Sequence, residues 1–254
     1  MENLADLSDL LDLDKNEVVS IIGSGGKTTL LCLLSNAFRH EKILISTTTH
    51  LQNKSFFDYD YYFSGKDIGE DFEIIKNGIY LGAEIETTKD GTEKLKSLDY
   101  DLLSKICGNF DKVFLESDGS KMLPLKAWKD FEPVVIAETT TTIGILPINV
   151  LGKPANENLI HRFDDFKKIT NIKKNEILEI KHLVSIISHE IGLMKFSKGK
   201  KIIILNKAES EIELSNARKL AKSLPRDFLN KINLIIGGSI KNNQGDVLYD
   251  GKLY

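Results

Sequence analysis

Short apolar runs punctuate this chain. Residues 17–22 (EVVSII), 42–47 (KILIST), 112–116 (KVFLE), 200–205 (KKIIIL) and 231–236 (KINLII) are each too short for a stable helix and too apolar for a surface, so each predicts a buried strand. VVIA at 134–137 and TIGIL at 142–146 predict two more. Between the runs, apolar residues recur every three or four positions. Leu4, Leu7, Leu10 and Leu11 predict a short opening helix and 28–38 a second. Leu95, Leu98, Leu102 and Ile106 predict a third, and 176–189 and 212–224 two more. The aromatic stretch FFDYDYYF at 56–63 predicts packing under a loop or an edge strand; too few basic residues interleave it for base stacking. Buried strands alternating with helices place the chain in the α/β class, a mostly parallel sheet with helices on both faces. No repeat and no Pro/Gly-rich linker divides it. A single domain over residues 1–254 is therefore expected, with 120–195 as an elaboration carrying basic and His/Arg loops.

Composition narrows the function classes. The 254 residues are 41% hydrophobic and 28% charged, as in ordinary globular proteins. A net charge of -3 argues against a general nucleic-acid binder. No apolar run approaches the ~20 residues of a membrane span. The acidic start, MENLADLSDLLDLDKNE, lacks the basic n-region of a signal peptide. Two cysteines, Cys32 and Cys107, make no disulfide framework. A cytoplasmic protein with neither nucleic acid nor membrane as partner is the expectation.

The chemistry starts at IIGSGGKTTLLCLL, residues 21–34. A strand enters a glycine turn and a helix leaves it. In that setting backbone N–H groups converge on an anion and the helix N-terminus adds partial positive charge. Gly23, Ser24, Gly25, Gly26, Lys27, Thr28 and Thr29 supply the parts of a phosphate site: glycines for close approach, a lysine for the outer phosphates, and a hydroxyl, Thr28, for Mg²⁺. A P-loop NTPase-like fold binding GTP or ATP follows from this reading; a glycine turn holding no ligand is the alternative. The common P-loop has its first glycine five residues before the second. Here that position is Ile21, and the shorter spacing resembles the G-x-x-G-K-T-T turn of Mur-type ligases.

Three further stretches suit partners of that loop. In LESDGS, 115–120, Glu116 and Asp118 close a strand where carboxylates meet a phosphate-bound magnesium. The Glu116-x-x-Gly119 spacing resembles the third motif of nickel-insertion GTPases. LNKAE, 205–209, resembles the guanine-reading Asn-Lys-x-Asp motif, with Asn206, Lys207 and Glu209 in place. STTTH, 46–50, offers Thr48 and His50 to a γ-phosphate or an attacking water. Beyond them, GSKMLPLKAWKDFEP adds Lys121 and Lys126, and LIHRFDDF adds His161 and Arg162, groups suited to phosphate binding and proton exchange.

Taken in order, GSGGKTTLL, TTTH, ESDGSKMLPLKAW, FEPVV, LGKP, HRF and LNKAE resemble the YqeC family, accessory to selenium-dependent molybdenum hydroxylases, over nearly the whole chain. The resemblance implies a role in making or inserting the selenium-containing molybdenum cofactor. It implies a hydroxylase or its maturation proteins as partner, and allows that the molybdenum cofactor itself binds here. Three functions follow: a nucleotide-hydrolysing maturation factor, a ligase or kinase activating a small molecule, and a carrier that binds without turnover.

Overall fold

The computed structural model describes residues 4–51, 54–69, 72–87, 91 and 93–253. Its centre is a ten-stranded sheet among these residues. In chain order the strands are β1 (Ala5–Asp6), β2 (Glu17–Gly23), β3 (Lys42–Thr47), β4 (Tyr61–Phe63), β5 (Gly78–Gly82), β6 (Lys112–Glu116), β7 (Thr141–Pro147), β8 (Lys200–Asn206), β9 (Leu234–Ser239) and β10 (Gln244–Asp250). Across the sheet the order is β1-β10-β9-β8-β7-β2-β6-β3-β5-β4. Every pair from β9 to β4 is parallel, and only β10 and β1 run against their neighbours. The fold is thus mixed α/β on a large, mostly parallel sheet.

Alternation along the strands assigns their two faces. Val19 and Ile21 of β2 join Ile43 and Ile45 of β3, Ile143 and Ile145 of β7 and Ile202 and Ile204 of β8 under helix α1 (Lys27–Ala37), which supplies Leu30, Leu31 and Leu34. On the opposite face Val18, Leu44, Val113 and Leu115 pack on α2 (Tyr100–Cys107). Ile203, Leu205 and Ile235 on that face pack on α3 (Phe163–Thr170), α4 (Ile180–Ser188) and α5 (Glu211–Lys222). Both faces are covered, which is why the strands read as continuous apolar runs.

Several expectations need correcting. VVIA at 134–137 is no strand; the Val134 N–H instead donates to the Ser117 carbonyl beside β6. Leu95 lies in a strand, Glu93–Lys96, of a small three-stranded sheet, and the helix starts only at Tyr100, where the Asp99 carboxylate caps it. The opening helix shrinks to Leu7–Leu10, because β1 in front of it pairs with β10. The strand expected at 231–236 runs Leu234–Ser239. The aromatic stretch does end in an edge strand, β4, with Phe57 and Phe63 buried. No helix of the described residues is long and apolar enough to cross a membrane.

Candidate functional site

The carboxyl ends of β2, β3, β6, β7 and β8 lie level, and the glycine turn sits on them. Register fixes this arrangement: Glu116 lies opposite both Ile21 and Thr47, Gly23 opposite Ile145, and Asn206 opposite Pro147. Ends of parallel strands are where open α/β sheets place ligands.

The turn is built from positive φ angles, +96° at Gly23, +74° at Gly25 and +156° at Gly26. It also lies against the sheet so closely that side chains are excluded. A Cβ on Gly23 would stand 2.2 Å from the Ile145 carbonyl oxygen, and one on Gly26 2.4 Å from Asn206 Nδ2. Asn206 explains the second contact: its Nδ2 donates to the Gly25 carbonyl at 2.7 Å, while its Oδ1 accepts from the Ile240 N–H at 2.9 Å. The Ser24 N–H donates to the Ile145 carbonyl at 3.0 Å, and Ser24 Oγ to the Pro124 carbonyl at 2.7 Å. Gly26 is the N-cap of α1 and brings no capping side chain. The first-turn N–H groups of α1 are thus left to an external acceptor.

From the turn a chain of alternating charges runs inward. Thr28 Oγ1 donates to Glu116 Oε2 at 3.2 Å. Lys27 Nζ lies 3.5 Å from Glu116 and 3.4 Å from Asp118, and donates to the Gly23 carbonyl at 2.8 Å. Asp118 meets Lys126 Nζ at 3.0 Å, and Lys126 lies 3.5 Å from Glu132. Glu132 closes the chain on the guanidinium of Arg162, with Nη2 at 2.7 Å and Nη1 also bonded. Three cations face three carboxylates, so the cluster is balanced although Lys27, Asp118 and Lys126 are buried. Asymmetry sets the protonation energies. Burial works against the Lys27 ammonium, but Glu116 and Asp118 together outweigh it and hold its pKa above the ordinary lysine value. Glu116 has one cation and one like charge, so burial wins and its carboxyl is raised. Burial lowers Lys126, against the pull of Asp118 and Glu132.

Most expected residues converge here, in different roles. Glu116, Lys27 and Thr28 face one another at the mouth of the turn. Asp118 does not serve as an open metal ligand: it is wholly buried and taken up by the Gly23 N–H, Lys27, Lys126 and Trp128. Lys126 is not a free cation for phosphate, because Asp118, Glu132 and the Gly119 carbonyl hold it. Arg162 is likewise bound to Glu132. The Thr48 hydroxyl donates to the Val134 carbonyl at 2.7 Å. His50 is not brought to the turn; it pairs with Glu86 across the small sheet, at 3.2 Å and with both side chains about half exposed. Thr29 and Lys121 are exposed, and Lys207 is half-buried with φ +60°. His161 is half-buried; burial, then Arg162, Lys121 and Lys126, pull its imidazole down to about 4, so it is neutral at pH 7. Glu209 is exposed, and its carboxylate accepts from Ser239 Oγ at 2.8 Å. Cys107 is inert, its thiol pushed up to about 12 by burial and by Glu138.

Two members of the network were missed in the sequence reading: Trp128, whose Nε1 donates to Asp118 at 2.6 Å, and Glu132. No local pattern marks either: Leu125–Lys126 is a two-residue strand paired with Ile160–His161, and Trp128 and Glu132 follow it in irregular structure. No group of three or more His, Cys, Asp or Glu that could hold a metal occurs among the described residues.

Comparison with known proteins covers less of the chain than the resemblance read from sequence. The family model described as YqeC protein matches residues 19–164, more than half of the chain. That span holds the whole charged chain from Lys27 to Arg162 and leaves Asn206, Lys207 and Glu209 outside. The chain is also 25% identical over 203 residues to the "Uncharacterized protein YqeC" of Escherichia coli (strain K12), an alignment covering 77% of this chain and 78% of that one. No solved structure matches significantly. The glycine turn, the carboxylate strand and the Lys126–Arg162 segment all fall inside the matched span, and on that ground this chain belongs to the YqeC family.

Proposed function

We propose that this protein binds a magnesium–nucleoside triphosphate on residues 23–29, in a P-loop NTPase-like manner, and hydrolyses it as a maturation factor for selenium-dependent molybdenum hydroxylases. The observation that carries the nucleotide reading is one constellation: an uncapped helix N-terminus, Lys27, and Thr28 hydrogen-bonded to Glu116, all at the carboxyl ends of parallel strands. The site suits the group it is proposed to take. Three glycines pack the turn against Ile145, Pro147 and Asn206 and so fix its backbone, and a buried carboxylate stands beside a hydroxyl.

Each residue has a part in this reading. Lys27 leaves its two carboxylates to neutralise the outer phosphates. The N–H groups opening α1 bind phosphate oxygens. Thr28 and Glu116 are the side chains that would hold the cation, which would offset the charge of the phosphates. Asn206 keeps the turn in its anion-receptive shape through Gly25. His161, neutral at pH 7, brings an uncharged imidazole beside Lys121, Lys126 and Arg162. Lys121, His161 and Arg162 lie on segments that nucleotide would shift between two arrangements.

Two measurements test the proposal. Purified protein with Mg²⁺ should bind GTP at least about tenfold more tightly than ATP, roughly 1.4 kcal/mol, if Glu209 reads the guanine N1–H and amino group. Glu209→Ala should erase that gap and Glu209→Asp keep it. Equal affinities in calorimetric titration would leave Glu209 only its bond from Ser239, and binding without turnover would leave a carrier. The pathway is tested in a host lacking the protein. Its selenium-dependent hydroxylase should accumulate as inactive, selenium-poor polypeptide while other molybdenum enzymes stay active. Equal loss of every molybdenum enzyme would point to general cofactor synthesis.

A further inference from the structure

Asp118 is the most heavily engaged side chain of the site. Both of its oxygens accept from the Gly23 N–H, at 3.1 and 3.0 Å. Lys126 Nζ donates to it at 3.0 Å, Trp128 Nε1 at 2.6 Å, and Lys27 Nζ stands 3.4 Å away. It is completely buried. A buried carboxylate is stable only when its charge is met. Here it is met mainly by a lysine and an indole from one short extended segment. That segment is itself anchored. The Leu125 N–H bonds the Leu159 carbonyl, the Ala127 N–H bonds the His161 carbonyl, and Glu132 holds the far side of Lys126.

Lys27 is shared between Asp118 and whatever anion occupies the turn. The tighter Asp118 is held by other donors, the less it needs Lys27. We propose that Lys126 and Trp128 are positioning residues that set the affinity of the turn for a nucleoside triphosphate: they hold Asp118, which orients Gly23 and otherwise competes with the phosphates for Lys27. This role rests on the nucleotide reading above, and makes the 125–132 segment the regulator of that site. Without Lys126, Asp118 is an under-compensated anion beside the phosphates; it both retains Lys27 and repels the ligand. Without the indole N–H the same happens to a smaller degree. With asparagine at 118 neither partner has a charge left to compensate.

The test is a double-mutant cycle on affinity for a non-hydrolysable triphosphate with Mg²⁺, with folding followed separately by denaturant unfolding. Trp128→Phe should weaken binding about tenfold and Lys126→Met about a hundredfold. In an Asp118→Asn background the same two substitutions should each change affinity by less than about threefold, because the pairwise coupling is gone. Additive losses in both backgrounds would overturn the proposal. Should Lys126→Met fail to fold, the tryptophan cycle decides alone. A second readout is internal. Trp128 is the chain's single tryptophan, so its emission should shift on titration with the analogue at the calorimetric midpoint, and not in Asp118→Asn. An unresponsive emission in the wild type would count against the role. Wild-type protein that binds no triphosphate would overturn the nucleotide reading and this role with it. Wild-type binding with unchanged affinity in Trp128→Phe and Lys126→Met would overturn the positioning role alone.

Discussion

Lys27→Met is expected to weaken triphosphate binding by at least about a hundredfold and to cost the empty protein about 3 kcal/mol. Both effects have one origin. The ammonium is buried between Glu116 and Asp118 and is the cation nearest the mouth of the turn. Methionine keeps the packing and removes the charge, so two carboxylates face each other with one cation, Lys126, at one side. Glu116, whose carboxyl is already raised by burial, then holds its proton to higher pH. Its folded pKa lies above its unfolded one. The stability this contributes is complete below the unfolded value near 4.5 and is lost as pH rises through the folded value. The deficit of the variant against wild type should therefore shrink as pH falls from 7 toward 5. Urea unfolding at several pH values measures it. A deficit independent of pH would show that Glu116 is not coupled to Lys27.

A single methyl group at Gly23 should be nearly as damaging. Gly23→Ala is expected to lose about 3 kcal/mol, combining a strained φ of +96° with a Cβ at 2.2 Å from the Ile145 carbonyl oxygen. Backbone cannot yield there, because that carbonyl accepts from the Ser24 N–H. Gly119→Ala is the control. A Cβ at Gly119 meets nothing within 4 Å, so the variant should unfold within about 0.5 kcal/mol of wild type. Equal stabilities for the two variants would show that the turn is looser than its contacts indicate.

The parts of this molecule that could be read from sequence are those written locally. β2, β3, β6 and β8 are short apolar runs in a sheet covered on both faces, and such runs read as strands. The glycine turn was legible because three residue types with separate physical duties stand in one order. What failed was non-local. His50 follows β3 directly, yet after Thr47 and Thr48 bond back to the Glu116 carbonyl the chain leaves for the small sheet. Leu95 fits a helical spacing with Leu98 and Leu102, but pairing with Leu51 and Ile85 claimed it as strand. The roles of Asp118 and Lys126 depend on Trp128 and Glu132 converging from one loop, and of Arg162 on a second loop meeting it. No spacing rule encodes that meeting.

The sheet order has a consequence for the timing of assembly. β2 is followed in sequence by α1 and β3, yet its neighbours in space are β6 and β7, and the peptide of Gly25 is tied to Asn206, 181 residues further on. A ribosome therefore releases the glycine turn long before the strands that support it exist. Contacts of such long separation close late and slowly. The nascent chain carries every residue of the turn from the outset, but the turn reaches its final shape only after Asn206 has docked, so on the proposed reading ligand capture would have to await completion of the fold.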